Sequence, residues 1–158
     1  MALHTFKQTA FPALLAAAIA LPVTLPIQTP RTNVKASDFK KLQWLAGDWV
    51  GSGGEYEAFY ERYTFVNDST IEQQSFSDAG MKTVTDRSTI ALRKGRITSG
   101  GGTSRYDAVA LDATGVSFVS SKPGGNSFVF KRASKGKWLA TIRSAGGKRT
   151  VYEMRPKR

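Results

Sequence analysis

Cysteine is absent from this chain of 158 residues, and histidine occurs once, at position 4. Without cysteine there is no disulfide frame, no thiolate nucleophile and no soft sulfur ligand for a metal. His4 lies in a hydrophobic leader, so a domain that has shed this leader has no imidazole either. Such a domain cannot run Ser-His-Asp or Cys-His catalysis, and it lacks the side chain most used for proton transfer near neutral pH. Acidic residues are also few, 12 against 23 Lys and Arg, which leaves a net charge of +11. Long apolar runs are missing too. A membrane-spanning helix needs roughly 20 apolar residues, and the longest candidate here, residues 10–21, is shorter, contains Pro12 and is followed by Pro22 and Pro26.

That segment instead has the form of an export signal. Lys7 supplies a positive start and residues 10–21 supply an apolar core of signal-peptide length, so residues 1–21 are expected to be a leader. Two small-x-small patterns, Ala18-Ile19-Ala20 and Val34-Lys35-Ala36, compete as cleavage points. Residues 22–36 carry Pro22, Pro26 and Pro30 with little periodicity and are expected to form an extended linker. No cysteine follows the core, which excludes lipoprotein-type anchoring. A periplasmic or secreted location is therefore expected for a domain spanning residues 37–158, a length that can bury its own hydrophobic core.

The domain opens with one helical stretch. Phe39, Leu42 and Leu45 recur at helical spacing beside Trp44, with Ser37 as the expected N-cap, Asp38 in the first turn and Gly47 as the stop. After Gly47 the period changes from 3.6 to 2. Segments near 48–54, 55–66, 69–77, 81–93, 105–112, 115–121, 126–132, 137–144 and 150–155 carry β-branched or aromatic residues. Turn signals such as Asn67-Asp68, Lys94-Gly95 and Gly146-Gly147 separate them. Eight or nine strands at this spacing predict an all-β antiparallel domain, a sandwich or a meander barrel. Gly100-Gly101-Gly102 is expected to be a flexible loop or a disrupted edge. Alternation places Val84, Ser88, Ile90 and Leu92 on one face, then Val116 with Phe118, Phe128 with Phe130, and Trp138 with Ala140 and Ile142. Residues 55–66 carry aromatics on both faces, so their facing stays open.

The stretch Gly47-Asp48-Trp49, entered from a short helix, is similar to the Gly-x-Trp start of calycin-type barrels of the lipocalin and nitrobindin kind. Residues 42–51 (LQWLAGDWVG) resemble a group of poorly characterised exported bacterial proteins of that type. The closing Trp138-Leu139-Ala140-Thr141-Ile142 and Val151-Tyr152-Glu153-Met154 resemble their final hairpin. The resemblance implies an all-β antiparallel meander barrel of about 8–10 strands, in which Gly47 and Trp49 serve barrel closure and the short N-terminal helix plugs one end. Nitrobindin-type barrels hold haem through a histidine. The domain here has none, so that role is not carried over and no cofactor is expected.

Other motifs dissolve on inspection. Ser37-x-x-Lys40 has the spacing of penicillin-recognising enzymes, but Ser134-Lys135-Gly136-Lys137 has it as well and no partner motif accompanies either. Gly146-Gly147-Lys148-Arg149-Thr150 mimics the end of a phosphate loop, yet the glycine required earlier is Ile142. Glu55, Glu57 and Glu61 alternate along one segment and are expected to form a solvated face. Asp86 differs, because its parity with Val84 and Ile90 puts it inside the barrel, where an unpaired charge is costly. It pairs with an arginine such as Arg105 or Arg143, marks a simple break in the alternation, or contacts a ligand.

Inward aromatics and one acid therefore define the candidate ligand site: Trp49, Asp86, Phe118, Phe128, Phe130 and Trp138. The corresponding function is a non-catalytic barrel that binds a small apolar or amphipathic molecule. A second function class rests on charge. Removing residues 1–36 would take away Lys7, Arg31 and Lys35 and no acid, lowering +11 to +8. That excess suits an anionic envelope surface, lipid or lipopolysaccharide. No nucleic-acid motif accompanies the basic residues, no metal site is expected, and the chain is expected to be a monomer or weak dimer. Enzymatic chemistry would have to rest on Asp86, a glutamate, a tyrosine or a lysine, and no such constellation is legible.

Overall fold

The computed structural model describes residues 29–158 except Glu55, Gly102 and Lys135, together with the backbone but not the side chains of Tyr56 and Glu57. The expected leader at 1–21 and residues 22–28 of the expected linker lie outside the described residues. Described residues before the helix lie against the barrel: Arg31 donates its backbone N–H to Ala108 O at 2.7 Å, and Val34 donates to Gly95 O at 2.9 Å.

Helix α1 (Ala36–Phe39) runs into a 3-10 segment, Lys40–Leu45. Its cap differs from the Ser37 expectation. The Lys35 carbonyl already accepts from the N–H groups of Asp38 and Phe39, and the Asp38 carboxylate accepts the Lys35 N–H at 3.2 Å. An acidic side chain at the third helical position thus reaches back to the cap, as glutamate does in a capping box. Ser37 is left exposed within the first turn. Lys40 pairs with Asp68 at 3.3 Å, so the Ser-x-x-Lys spacing carries no joint site.

Ten strands follow: β1 (Gly47–Gly53), β2 (Tyr56–Asn67), β3 (Thr70–Phe76), β4 (Val84–Arg93), β5 (Arg96–Gly101), β6 (Ser104–Leu111), β7 (Gly115–Ser120), β8 (Ser127–Ser134), β9 (Lys137–Arg143) and β10 (Arg149–Pro156). Each pairs antiparallel with its sequence neighbours, and β1 pairs with β10 to close the barrel. Closure is set by the register Trp49↔Pro156 and Gly51↔Met154. It removes the open sheet edges that would otherwise invite pairing with other chains. The turns lock locally. Asn67 Oδ1 accepts from both the N–H and the hydroxyl of Ser69 at 2.9 Å, and Asp112 Oδ1 accepts from the N–H groups of Thr114 and Gly115.

Strand β5 corrects the expectation of a flexible glycine loop. Thr98, Ser99, Gly100 and Gly101 pair in register with β6. Gly100 sits at φ +141°, where a Cβ would come within 2.1 Å of Ser104 O. Glycine is there because the tight β5–β6 hairpin leaves no room for a side chain.

Among the described residues the core fills one end of the barrel. Phe39, Leu42 and Leu45 from the helical segment are fully buried and plug that end. Trp49 packs directly on the plug, 6% exposed, and its indole N–H donates to Leu45 O at 2.7 Å. Trp49 and Trp138 meet edge to face with centroids 5.7 Å apart. Ile71, Ile90, Ile97, Val116, Phe118 and Met154 complete this layer. The interior row Ile90, Ser88, Asp86 follows the expected alternation. Between Ser75 and Phe76 the register slips, so Val84 pairs with Phe76 and leaves that row.

Candidate functional site

Above the packed layer the barrel stays open. A cavity of about 740 Å³ reaches from the centre to the end opposite the helix, within the size range of small-molecule sites. Its two sides differ in chemistry. Phe59 from β2, Phe128 and Phe130 from β8, Ile142 from β9 and Tyr152 from β10 make an apolar, aromatic side. Gln73 from β3, Asp86 and Ser88 from β4, Ser99 from β5 and Ser104 from β6 make a polar side.

The aromatic side is stiffened by ring contacts. Phe128 stacks on Phe118 at 4.8 Å and meets Tyr106 edge-on at 5.0 Å. Phe59 meets Tyr152 edge-on at 5.3 Å. Tyr63 and Phe130 form part of the floor, and both contact Trp138 beneath it, at 5.8 and 5.0 Å. Such pairs stabilise beyond the area they bury, which keeps the wall preformed.

Where the two sides meet stands Glu61. Its Oε2 accepts the Tyr63 hydroxyl at 2.8 Å and its Oε1 accepts the Gln73 amide at 2.8 Å. The Ser88 hydroxyl in turn donates to Gln73 Oε1 at 2.7 Å. Residues from β2, β3 and β4 are linked because Tyr63 pairs with Gln73 and Gln73 with Ser88 in adjacent ladders. Burial pushes the Glu61 carboxyl above the ordinary glutamate value, against the lowering effect of its two donors. Burial, together with the neighbouring Glu61 carboxylate, holds the Tyr63 phenol well above its usual range.

Of the six residues picked out by sequence, Asp86, Phe128 and Phe130 line the cavity. Trp49, Phe118 and Trp138 sit instead in the packed layer, each nearly or wholly buried. Parity alone cannot separate these two depths, since both face inward. Asp86 lies at the mouth and is exposed, so solvent spares it the burial cost that parity suggested. Among the described residues no ion pair joins it to Arg105 or Arg143; Arg105 instead lies 3.5 Å from Asp107. Glu61 overturns the solvated-face expectation, because it points into the barrel beside Tyr63. Glu55 and the Glu57 side chain lie outside the described residues. The signal missed in β2 was Gly51 on β1, whose register partner is Phe59. A glycine inside a strand marks a close approach from the partner, and here that approach assigns Phe59, Glu61 and Tyr63 to the interior.

Among the described residues no group of three or more histidine, aspartate or glutamate side chains is placed to hold a metal. The site has the equipment for reversible binding: a shaped apolar wall, a row of hydroxyls and amides, and a hydrogen-bonded carboxylate.

No protein-family model matches the chain, and no curated protein matches it. Among solved structures it is similar to designed barrels. A redesigned β-barrel shares 8% identity at a TM-score of 0.40, covering 75% of this chain and 96% of that one. A redesigned β-barrel bound to DFHBI shares 12% identity at a TM-score of 0.39, covering 73% and 98%. A de novo designed fluorescence-activating β-barrel shares 12% identity at a TM-score of 0.38, covering 74% and 97%.

Proposed function

We propose that this chain is an exported, non-catalytic, calycin-like barrel that binds one small amphipathic molecule. The observation that carries the reading is the half-filled interior: one end is packed solid around Trp49 and Trp138, and the other holds the two-sided cavity. A core built only for stability would fill both ends, since interiors otherwise approach the density of organic crystals. Export rests on the leader sequence. The non-catalytic assignment rests on a domain without cysteine or, once the leader is removed, histidine.

The test is a fluorescence titration of the full chain with N-phenyl-1-naphthylamine, a neutral apolar reporter. One equivalent should bind saturably, with a blue shift. Phe128→Ala removes the ring between Phe118 and Tyr106 and should weaken binding by about tenfold. Absence of saturable binding by this reporter would overturn the proposal.

A further inference from the structure

We propose that the cavity is selective for an amphiphile with a cationic, amine-type head, and that Glu61 is the residue that selects it. This rests on the binding function proposed above and assigns the chemical class of the ligand.

The exterior of this protein is strongly basic, and the cavity is not. Among the described residues, the charged groups on its wall are Glu61, Asp86 and Arg87. Arg87 pairs in register with Gln74 on the outward-facing row, and its guanidinium is bound to Glu72. Its charge is therefore turned away and already neutralised. That leaves two carboxylates facing the cavity, and neither forms an ion pair among the described residues. The other inward positions around the polar side, Gln73, Ser88, Ser99 and Ser104, are neutral.

Glu61 is the deeper of the two acids and the better constrained. Each of its oxygens accepts one hydrogen bond from a neutral donor, Tyr63 or Gln73. A carboxylate offers about four acceptor sites, so acceptor capacity remains on a side chain whose orientation is locked. Two bonds accepted by two different oxygens suit the ionised form. A half-buried carboxylate with no cation beside it among the described residues is an electrostatic deficit that a ligand ammonium would correct. The surroundings also suit such a head. Tyr63 and Phe130 meet edge to face at 6.4 Å beside Glu61, and aromatic faces attract cations. A fatty-acid carboxylate in the same place would meet Glu61 as a like charge without a compensating base.

The experiment is displacement of N-phenyl-1-naphthylamine from the full chain by decylammonium, decanol and decanoate, which share one apolar tail. It is run at about pH 8, above the ordinary glutamate range and below that of an alkylammonium. Decylammonium should bind at least about tenfold tighter than decanol, the contribution of one charge-assisted hydrogen bond, and decanoate should bind weakest. Glu61→Gln should bring the ammonium-to-alcohol ratio close to one. Glu61→Asp, which keeps the charge, should keep a preference for the ammonium. Equal binding of all three heads by the natural protein, or a preference that survives Glu61→Gln, would overturn the assignment while leaving the binding function standing. A preference abolished by Asp86→Asn rather than by Glu61→Gln would overturn the role of Glu61. Failure of the reporter itself to bind would overturn the binding function and this inference with it.

Discussion

Gly51 on β1 lies directly beneath the ring of Phe59 on β2: a Cβ at position 51 would come within 2.1 Å of the Phe59 Cζ. The two are register partners, and the ring occupies the space that any other residue at 51 would need. Because Phe59 also lines the cavity, this contact joins barrel closure to the shape of the site. Gly51→Ala should displace the ring and cost about 1–3 kcal/mol as an overpacking change. It should also weaken binding of the neutral reporter. In a double-mutant cycle, Phe59→Ala should recover most of the stability lost to Gly51→Ala, with a coupling of about 1 kcal/mol or more. Additive effects in chemical denaturation would contradict the contact.

Trp49 carries a different expectation. It is buried against the helical plug, bonded to Leu45 O and packed on Trp138, but it does not line the cavity. Trp49→Ala should cost about 3–5 kcal/mol, visible as a large fall in melting temperature. Reporter affinity of the folded fraction should change by less than about twofold. A large affinity loss at unchanged melting temperature would place Trp49 in the site rather than beneath it.

Two carboxylates in β1 and β2 should respond to pH in opposite directions. The Asp48 carboxyl is held below its ordinary range by Arg62, which bonds both its oxygens at 2.6 and 2.8 Å. Its contribution is present above the unfolded aspartate value of 3.8 and is lost as pH falls through the lower native one. The Glu61 carboxyl is pushed above 4.5 by burial, so its contribution is full below 4.5 and declines as pH rises through the native value. Glu61→Gln should therefore gain stability relative to the natural protein as pH increases from about 4 to 8, and Asp48→Asn should lose its disadvantage towards acid. Urea unfolding from about pH 2 to 8 checks both signs, and parallel curves for all three proteins would refute them.

The glycines of the rim separate conformational strain from lack of space. At Gly100 a Cβ would collide with the Ser104 carbonyl, and φ is +141°. At Gly124 φ is +67° and nothing lies within 4 Å of a new Cβ. Gly124→Ala should cost about 1 kcal/mol from backbone strain alone, and Gly100→Ala should cost more because β5 and β6 must also separate. Equal melting temperatures for the two variants would show that the β5–β6 hairpin is looser than its register.

The sequence by itself determined that this is an all-β domain of short antiparallel strands led by a short helix, because a period of 2 broken by regular turn signals fits a sandwich or a meander barrel. The choice between them was decided by the pairing of β1 with β10. The sequence also determined that Trp49, Phe118, Phe128, Phe130 and Trp138 face inward, since alternation fixes the face of a strand residue. Depth along the barrel axis was decided only by the tertiary structure. Trp138 and Phe128 have the same inward pattern, and one is sealed in the packed layer while the other lines open space, because the helix fills one end and no described residue fills the other. The facing of β2 was likewise decided by pairing. Aromatics on both sides of residues 55–66 cancel the alternation signal, and only the fit of Phe59 over Gly51 turns Glu61 inward. Strand β5 was hidden because glycine favours loops by local propensity, and a hairpin too tight for a Cβ overrides that preference. The charge of the whole chain could be read from its composition, but the carboxylate that faces the cavity became visible only when ten strands closed around it.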